Sequence, residues 1–101
     1  MTTVQWTVPA GDDLAAIFAF IAQDSEHYAW LTVRQLIGAV GHLRQFPEIG
    51  RVVPELNRRD VREVLWRSYR IVYQYLSTKD EVRVLTVFRA ERLFRAPPDL
   101  G

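Results

Sequence analysis

The hydrophobic pattern changes once along the chain, from a helical period to a strand period, and this change determines the fold class. Before residue 45, apolar residues recur at i, i+3, i+4 and i+7, the spacing of one helix face. The first such stripe consists of Leu14, Ile17, Phe18 and Ile21, and Phe20 widens it. After Gly50, apolar residues alternate or cluster in short runs, as in strands. Helices segregated from consecutive strands are typical of an α+β fold.

The first half of the chain predicts a strand followed by two helices. The strand covers Gln5–Val8, and Pro9 is expected to stop it. Asp12 and Asp13 are the predicted N-cap of the first helix, because an Asp side chain accepts hydrogen bonds from free N–H groups at a helix start. The second helix is predicted over roughly 27–45. The short break between them predicts an antiparallel helix hairpin.

The second half predicts a small antiparallel sheet with the helix hairpin on one face, in the order β-α-α-β-β-β. Its strands are expected at Val61–Trp66, Tyr69–Leu76 and Glu81–Phe88, with an extra short strand at 51–53. Residues 1–101 form one domain at this length. Residues 89–95 are expected to be a short helix or irregular, and residues 96–101 a frayed tail.

Composition excludes several function classes. The chain contains no Cys, which rules out a disulfide framework, a thiolate metal site and a Cys nucleophile. His27 and His42 are separated by 15 positions, which is not a helical ligand spacing, so no metal is predicted. No glycine-rich phosphate loop occurs and no cofactor is predicted. No apolar run reaches the ~18 residues of a membrane span, and a cytoplasmic location without a membrane partner is expected.

Charge is distributed unevenly. Residues 1–50 carry five acidic and two basic side chains, a net charge of −3, whereas residues 51–101 carry eleven basic and seven acidic ones, a net charge of +4. Twelve of the 13 basic residues are Arg, whose planar guanidinium suits carboxylates and phosphates. This distribution indicates an anionic partner, and we expect the arginines of the second half to line one open face of the sheet.

Three segments following the helix hairpin resemble the RelE/ParE superfamily of toxins from bacterial type II toxin–antitoxin pairs. They are Phe46–Glu55 (FPEIGRVVPE), Tyr69–Tyr73 (YRIVY) and Val84–Arg89 (VLTVFR). The resemblance covers about residues 4–95 and is greater to ParE-like than to RelE-like members. It implies a cognate antitoxin whose acidic and apolar C-terminal segment wraps the toxin in a hetero-oligomer.

The resemblance also implies two possible activities. ParE-like members poison DNA gyrase, and this implies a non-enzymatic gyrase inhibitor connected with growth inhibition and plasmid stabilisation. The alternative is a RelE-like endoribonuclease that cuts mRNA in the ribosome. The target-binding residues that the resemblance implies are Arg51, Arg70, Phe88, Arg89 and Arg92.

No catalytic residue is assigned unless the chain is a ribonuclease, in which case the resemblance places Arg70 and Arg92 on the phosphate. The His/Tyr pair that ends many ribonuclease members is absent, and Phe94, the nearest aromatic, has no hydroxyl. Arg70 has a structural alternative, an ion pair with Glu63 on a neighbouring strand. If Arg70 contacts the target, Arg70→Ala lowers toxicity at nearly constant Tm, whereas a large stability loss indicates the ion pair.

Overall fold

The computed structural model describes residues 1–98 and 100–101, and in this part of the chain two helices pack against a five-stranded sheet. The elements in chain order are β1 (Thr3–Trp6), α1 (Val8–Ala22), α2 (Glu26–Gly41), β2 (Arg51–Val52), β3 (Val61–Trp66), β4 (Tyr69–Leu76) and β5 (Glu81–Arg89), with a 3-10 turn at His42–Arg44 after α2. The predicted α+β class and the order of elements are confirmed.

The sheet is mixed, with the strand order β1-β5-β4-β3-β2. Strands β2 to β5 pair antiparallel, whereas β1 pairs parallel with β5 at the edge. The prediction described an antiparallel sheet and did not place β1. Parallel strands need a long crossover connection between them. The helix hairpin provides one, because it carries the chain across one face of the sheet after β1 and before the antiparallel strands begin.

A bulge in β5 sets which side chains face the helices. Val72 pairs with Thr86 and Tyr73 pairs with Val84, so Leu85 has no partner on β4. The extra residue reverses the alternation, and Val84 and Val87 are therefore both buried on the helix-covered face.

Two clusters of buried side chains lie on opposite faces of the sheet. The larger one lies under the helices and includes Ala10, Leu36, Val40, Leu43, Ile71, Tyr73, Val82, Val84 and Val87. The smaller one, on the face without helices, consists of Val53, Val61, Val72 and Phe94. Phe94 belongs to the segment after β5, so this segment folds back over the second face.

The C-terminal segment has no helix or strand in its described part but makes defined contacts. Leu100 packs against the smaller cluster. The carbonyl of Gly101 accepts hydrogen bonds from Arg58 and from Gln74. Asp99, within the tail predicted as frayed, lies outside the described residues.

The start of α1 differs from the prediction. Strand β1 ends at Trp6, and the side chain of Thr7 caps α1 by accepting a hydrogen bond from the Ala10 N–H at 3.3 Å. Pro9 lies in the first turn of α1, where a missing N–H costs nothing because no intrahelical acceptor exists there. The prediction that Asp12 and Asp13 form the cap is wrong.

Asp13 connects α1 to β5. Its carboxylate accepts hydrogen bonds from Thr86 Oγ1 at 2.5 Å and from the Val87 N–H at 3.0 Å, next to the bulge. These two contacts hold the helix hairpin in position over the end of β5. No helix in the described part of the chain is long and apolar enough to cross a membrane.

Candidate target-binding surface

Arg70 lies on β4, on the face of the sheet without helices, and its side chain is only 6 % exposed. Its Nε donates to Glu63 Oε1 at 2.6 Å. Its Nη1 and Nη2 each donate to one oxygen of Glu55 at 2.8 Å, and Nη1 also donates to the Arg92 carbonyl at 2.8 Å. The guanidinium carbon lies 5.0 Å from the centroid of the Phe88 ring. Four of its donor hydrogens are therefore directed at acceptors within the chain.

Strand register explains the contact with Glu63. In the antiparallel β3–β4 ladder, Glu63 opposes Val72 and Leu65 opposes Arg70, which puts Glu63 and Arg70 on the same face as diagonal neighbours. In the β2–β3 ladder, Arg51 opposes Glu63, and Arg51 Nε donates to Glu63 Oε2 at 2.5 Å. The side chain of Glu63 is completely buried and lies between two guanidinium groups.

Glu55 reaches Arg70 from the turn between β2 and β3. The Val53 carbonyl accepts hydrogen bonds from the N–H groups of Leu56 and Asn57, at 3.2 and 2.9 Å, which closes this turn. Val53 is fully buried in the smaller cluster and anchors the turn against the sheet. The Glu55 carboxylate also accepts a hydrogen bond from the Phe94 N–H at 2.9 Å, so it joins the turn, β4 and the C-terminal segment.

In the cluster formed by Arg51, Glu55, Glu63 and Arg70, each charged side chain is paired with one of opposite charge. The hydrogen bonds from Arg70 hold the pKa of the Glu55 carboxyl at about 2, against an ordinary 4.5, even though burial acts to raise it. The hydrogen bonds that Arg70 donates, first to Glu55 and then to Glu63, raise the pKa of Arg70 above its ordinary value, with burial opposing them. Arg51 and Arg70 are balanced by Glu55 and Glu63, so the four side chains have no net charge.

Phe88, Arg89 and Arg92 lie together at the end of β5. They line a groove of about 270 Å³ with residues of α1 and β4, including Phe20 and Tyr69. Arg89 is half-exposed, and its Nε lies 3.6 Å from an exposed Glu91 carboxylate, so this ion pair is weak. In the groove, arginine head groups therefore lie beside an exposed apolar side chain, Phe20.

Phe88 connects the groove to the arginine cluster. One side of its ring faces the Arg70 guanidinium, and the ring stacks on Phe94 with centroids 6.4 Å apart and an interplanar angle of 17°. A second cavity, of about 410 Å³, is lined by Arg51, Pro54, Glu55, Leu65, Arg70, Ala90 and Leu93. The five residues named from the sequence thus occupy two adjoining depressions, with Phe88, Arg89 and Arg92 in one and Arg51 and Arg70 in the other.

The expectation of one open arginine surface is wrong. Six arginines of the second half lie within 3.7 Å of a carboxylate, and they occur on both faces and in the loops: Arg51, Arg58, Arg62, Arg70, Arg83 and Arg89. Cross-strand and loop carboxylates therefore neutralise much of the positive charge in this half. The structural alternative for Arg70, an ion pair with Glu63, is what the structure contains.

Some contributors to the site were not expected from the sequence. Phe20, predicted to widen the apolar helix face, is 67 % exposed and lines the groove beside Arg89. Trp30 does not line the groove; it is exposed on α2 and packs edge-on against Phe18, with ring centroids 4.8 Å apart. The helical stripe did not distinguish Phe20 from core residues, because exposed and partly buried positions follow each other within one turn of α1. In the described part of the chain, no three His, Asp or Glu side chains are grouped to hold a metal ion.

A two-helix hairpin on one face of a five-stranded mixed sheet is the fold of the RelE/ParE superfamily of toxins. The family described as "ParE toxin of type II toxin-antitoxin system, parDE" matches residues 4–94 of this sequence. The chain therefore belongs to the ParE toxin family and is the toxin of a type II toxin–antitoxin pair. The predicted membership of the superfamily is confirmed.

Solved structures with this fold include toxins of both branches. A chain of the chromosomal ParDE system from P. aeruginosa is 24 % identical, with 90 % of this chain and 98 % of that chain covered and a TM-score of 0.73. The isolated E. coli RelE toxin is 21 % identical, with coverages of 91 % and 87 % and a TM-score of 0.67. A chain of the intact E. coli RelBE complex is 23 % identical, with coverages of 91 % and 100 % and a TM-score of 0.62. Among curated proteins, none matches this sequence.

Proposed function

We propose that this toxin acts in the cytoplasm as a ParE-like inhibitor of DNA gyrase and that a cognate antitoxin neutralises it. The observation that carries the choice between the two activities is the occupied guanidinium of Arg70. A ribonuclease of this superfamily is expected to use that arginine on the scissile phosphate, and here Glu55 and Glu63 already bind it.

Acid–base chemistry argues in the same direction. Cleavage by a 2′-hydroxyl needs one group that accepts a proton and another that donates one. Glu55 is a weak base, because its pKa is held at about 2 by the hydrogen bonds that stabilise its anion. Arg89 and Arg92 line the groove, and a guanidinium, which keeps its proton in proteins, is suited to neither role. The groove is better equipped to bind than to catalyse.

The groove beside β5 is the proposed contact for gyrase. Phe88, Arg89 and Arg92 combine an aromatic ring with two guanidinium groups, and Phe20 extends the apolar area. Aromatic and arginine side chains contribute most to affinity at many protein interfaces. Arg51 and Arg70 are proposed to act behind this surface, since their cluster holds Phe88 and the segment that carries Arg92.

The antitoxin is proposed as an acidic and apolar partner in a toxin–antitoxin hetero-oligomer. The net charge of +4 on residues 51–101 favours association with an acidic segment. The structural neighbours support such an assembly, because one comes from a ParDE system and another from a RelBE toxin–antitoxin complex.

The two activities separate in one pair of assays on the purified chain. We expect loss of gyrase supercoiling, with trapped cleaved DNA, and no new 5′ ends on translated mRNA by primer extension. Arg92→Ala is expected to weaken gyrase inhibition at least tenfold, whereas Arg59→Ala, which removes an arginine that is also exposed but lies outside the groove, is expected to leave it unchanged. Cut mRNA with unaffected gyrase would reject the proposal in favour of the ribonuclease.

A further inference from the structure

Three hydrogen-bond donors converge on the carboxylate of Glu55. Two come from the planar fork of Arg70, at 2.8 Å each, and the third is the Phe94 backbone N–H at 2.9 Å. A guanidinium fork together with a backbone amide is an arrangement that proteins use to bind oxyanions, including phosphate. The group bound at this position is part of the protein itself.

The donors are held in place independently of Glu55. Arg70 is fixed by its hydrogen bond to the buried Glu63 and by the Phe88 ring below it. The Phe94 amide is fixed by its own side chain, which is 6 % exposed and packed in the smaller cluster. Removing the Glu55 carboxylate is therefore expected to leave the donors of Arg70 and Phe94 in their present positions.

Solvent reaches Arg70 and the Glu55 carboxylate through the second cavity. Its lining includes Arg51, Arg70 and Glu55 together with the apolar Leu65 and Leu93. Its volume of about 410 Å³ lies beside the carboxylate, so a phosphate group that replaced the carboxylate could extend into it. Without the charge of Glu55, the cluster of two arginines and Glu63 has a net charge of +1, which an anion would balance.

We propose that Glu55 is an internal pseudo-ligand, whose carboxylate fills an oxyanion site formed by Arg70 and the Phe94 amide and so excludes phosphate groups from this face. The donors of this site are suited to a phosphate group, but the Glu55 carboxylate of the same chain occupies them. This inference does not depend on gyrase being the target, because it concerns only what the face without helices can bind.

The test follows inorganic phosphate binding in ¹H–¹⁵N spectra, with the Phe94 amide and the Arg70 Nε–H as reporters. Glu55→Gln is expected to give saturable shifts of both signals, with affinity for phosphate at least tenfold higher than in the wild type. Glu81→Gln is the matched control, because it changes the net charge equally by breaking the pair between Glu81 and Arg83 at 2.6 Å. It is expected to behave as the wild type.

Equal phosphate affinity in Glu55→Gln and Glu81→Gln would overturn the proposal, and so would binding that leaves the Phe94 amide unshifted. If Glu55→Gln does not fold, Glu55→Asp decides in its place, since a carboxylate shortened by one methylene draws back from the Arg70 fork. Phosphate-dependent shifts at Phe94 in that variant support the pseudo-ligand, and their absence in a folded Glu55→Asp overturns it.

Discussion

Replacing Arg70 by alanine is expected to destabilise the fold strongly. The side chain of Glu63 is completely buried, and Arg70 is one of its two cationic partners. Removing one partner of a buried ion pair leaves a desolvated charge and costs about 3–5 kcal/mol. The substitution also removes both side-chain donors to Glu55 and one to the Arg92 carbonyl.

The expected change in melting temperature follows from the size of the domain. For a chain of 101 residues, each 1 kcal/mol corresponds to roughly 4–8 °C, so Arg70→Ala is expected to lower Tm by roughly 12 °C or more. Unfolding by urea, followed by circular dichroism, measures the free energy directly. Arg83→Ala is the control, because Arg83 pairs with Glu81 while 42 % exposed, and such pairs contribute less than about 1 kcal/mol.

A second variant separates loss of the ion pair from loss of packing. In Arg70→Met/Glu63→Leu the buried charges are replaced by apolar side chains of similar size, which is often neutral for stability. This double variant is expected to be more stable than Arg70→Ala. A loss below about 1 kcal/mol in Arg70→Ala, combined with loss of toxicity, would refute the structural role and indicate direct contact with the target.

Three further substitutions test other parts of the fold. The pKa of Glu55 is about 2 in the folded chain, against an ordinary 4.5, and this difference corresponds to up to roughly 3 kcal/mol of stability. That stability is present above pH 4.5 and is lost as the pH falls toward 2. Glu55→Gln should remove this pH dependence in urea titrations. Gly50→Ala should cost about 1–3 kcal/mol, because a Cβ there would lie 2.6 Å from a backbone carbonyl oxygen and 2.7 Å from the Tyr73 hydroxyl. Asp13→Ala should cost about 1.5–3 kcal/mol in the same assay, by leaving the Val87 N–H and the Thr86 hydroxyl without their acceptor.

The strands of the second half could be predicted closely from the sequence. The prediction for β4 coincides with Tyr69–Leu76, and that for β3 coincides with Val61–Trp66. The reason is physical, since each strand is short, lies between turn residues and is rich in β-branched or aromatic side chains. The β5 bulge was not predicted. Leu85 is an apolar strand residue like its neighbours in the sequence, and only its lack of a partner on β4 marks it as the bulge.

The start of α1 could not be assigned from local signals. Thr7 and Asp12–Asp13 all have side chains that cap helices, and Pro9 is compatible both with the end of a strand and with the first turn of a helix. The structure favours Thr7 because Val84 and Leu85 of β5 also accept hydrogen bonds from its hydroxyl, at 2.7 and 3.3 Å. This tertiary contact lies 77 positions away along the chain and is invisible to a local pattern.

In the candidate site, too, a local sequence pattern does not show which charged side chains are paired. Alternation along β4 places Arg70 on the opposite face from Ile71 and Tyr73, but it left open which of the two faces the helices cover; in the structure Ile71 and Tyr73 lie under the helices. Alternation also does not say what lies above the face that carries Arg70. The answer depends on a turn that brings Glu55 across from 15 positions away and on a C-terminal segment that brings Phe94 over the sheet. A count of basic residues therefore overestimates the cationic surface, and part of the charge that remains for a partner lies where β5 ends, with Arg89 and Arg92 beside Phe20 and Phe88. Recognition of the target should accordingly depend on aromatic contacts as much as on charge, and inhibition by the toxin should decline less steeply with salt than for a protein that binds nucleic-acid phosphates.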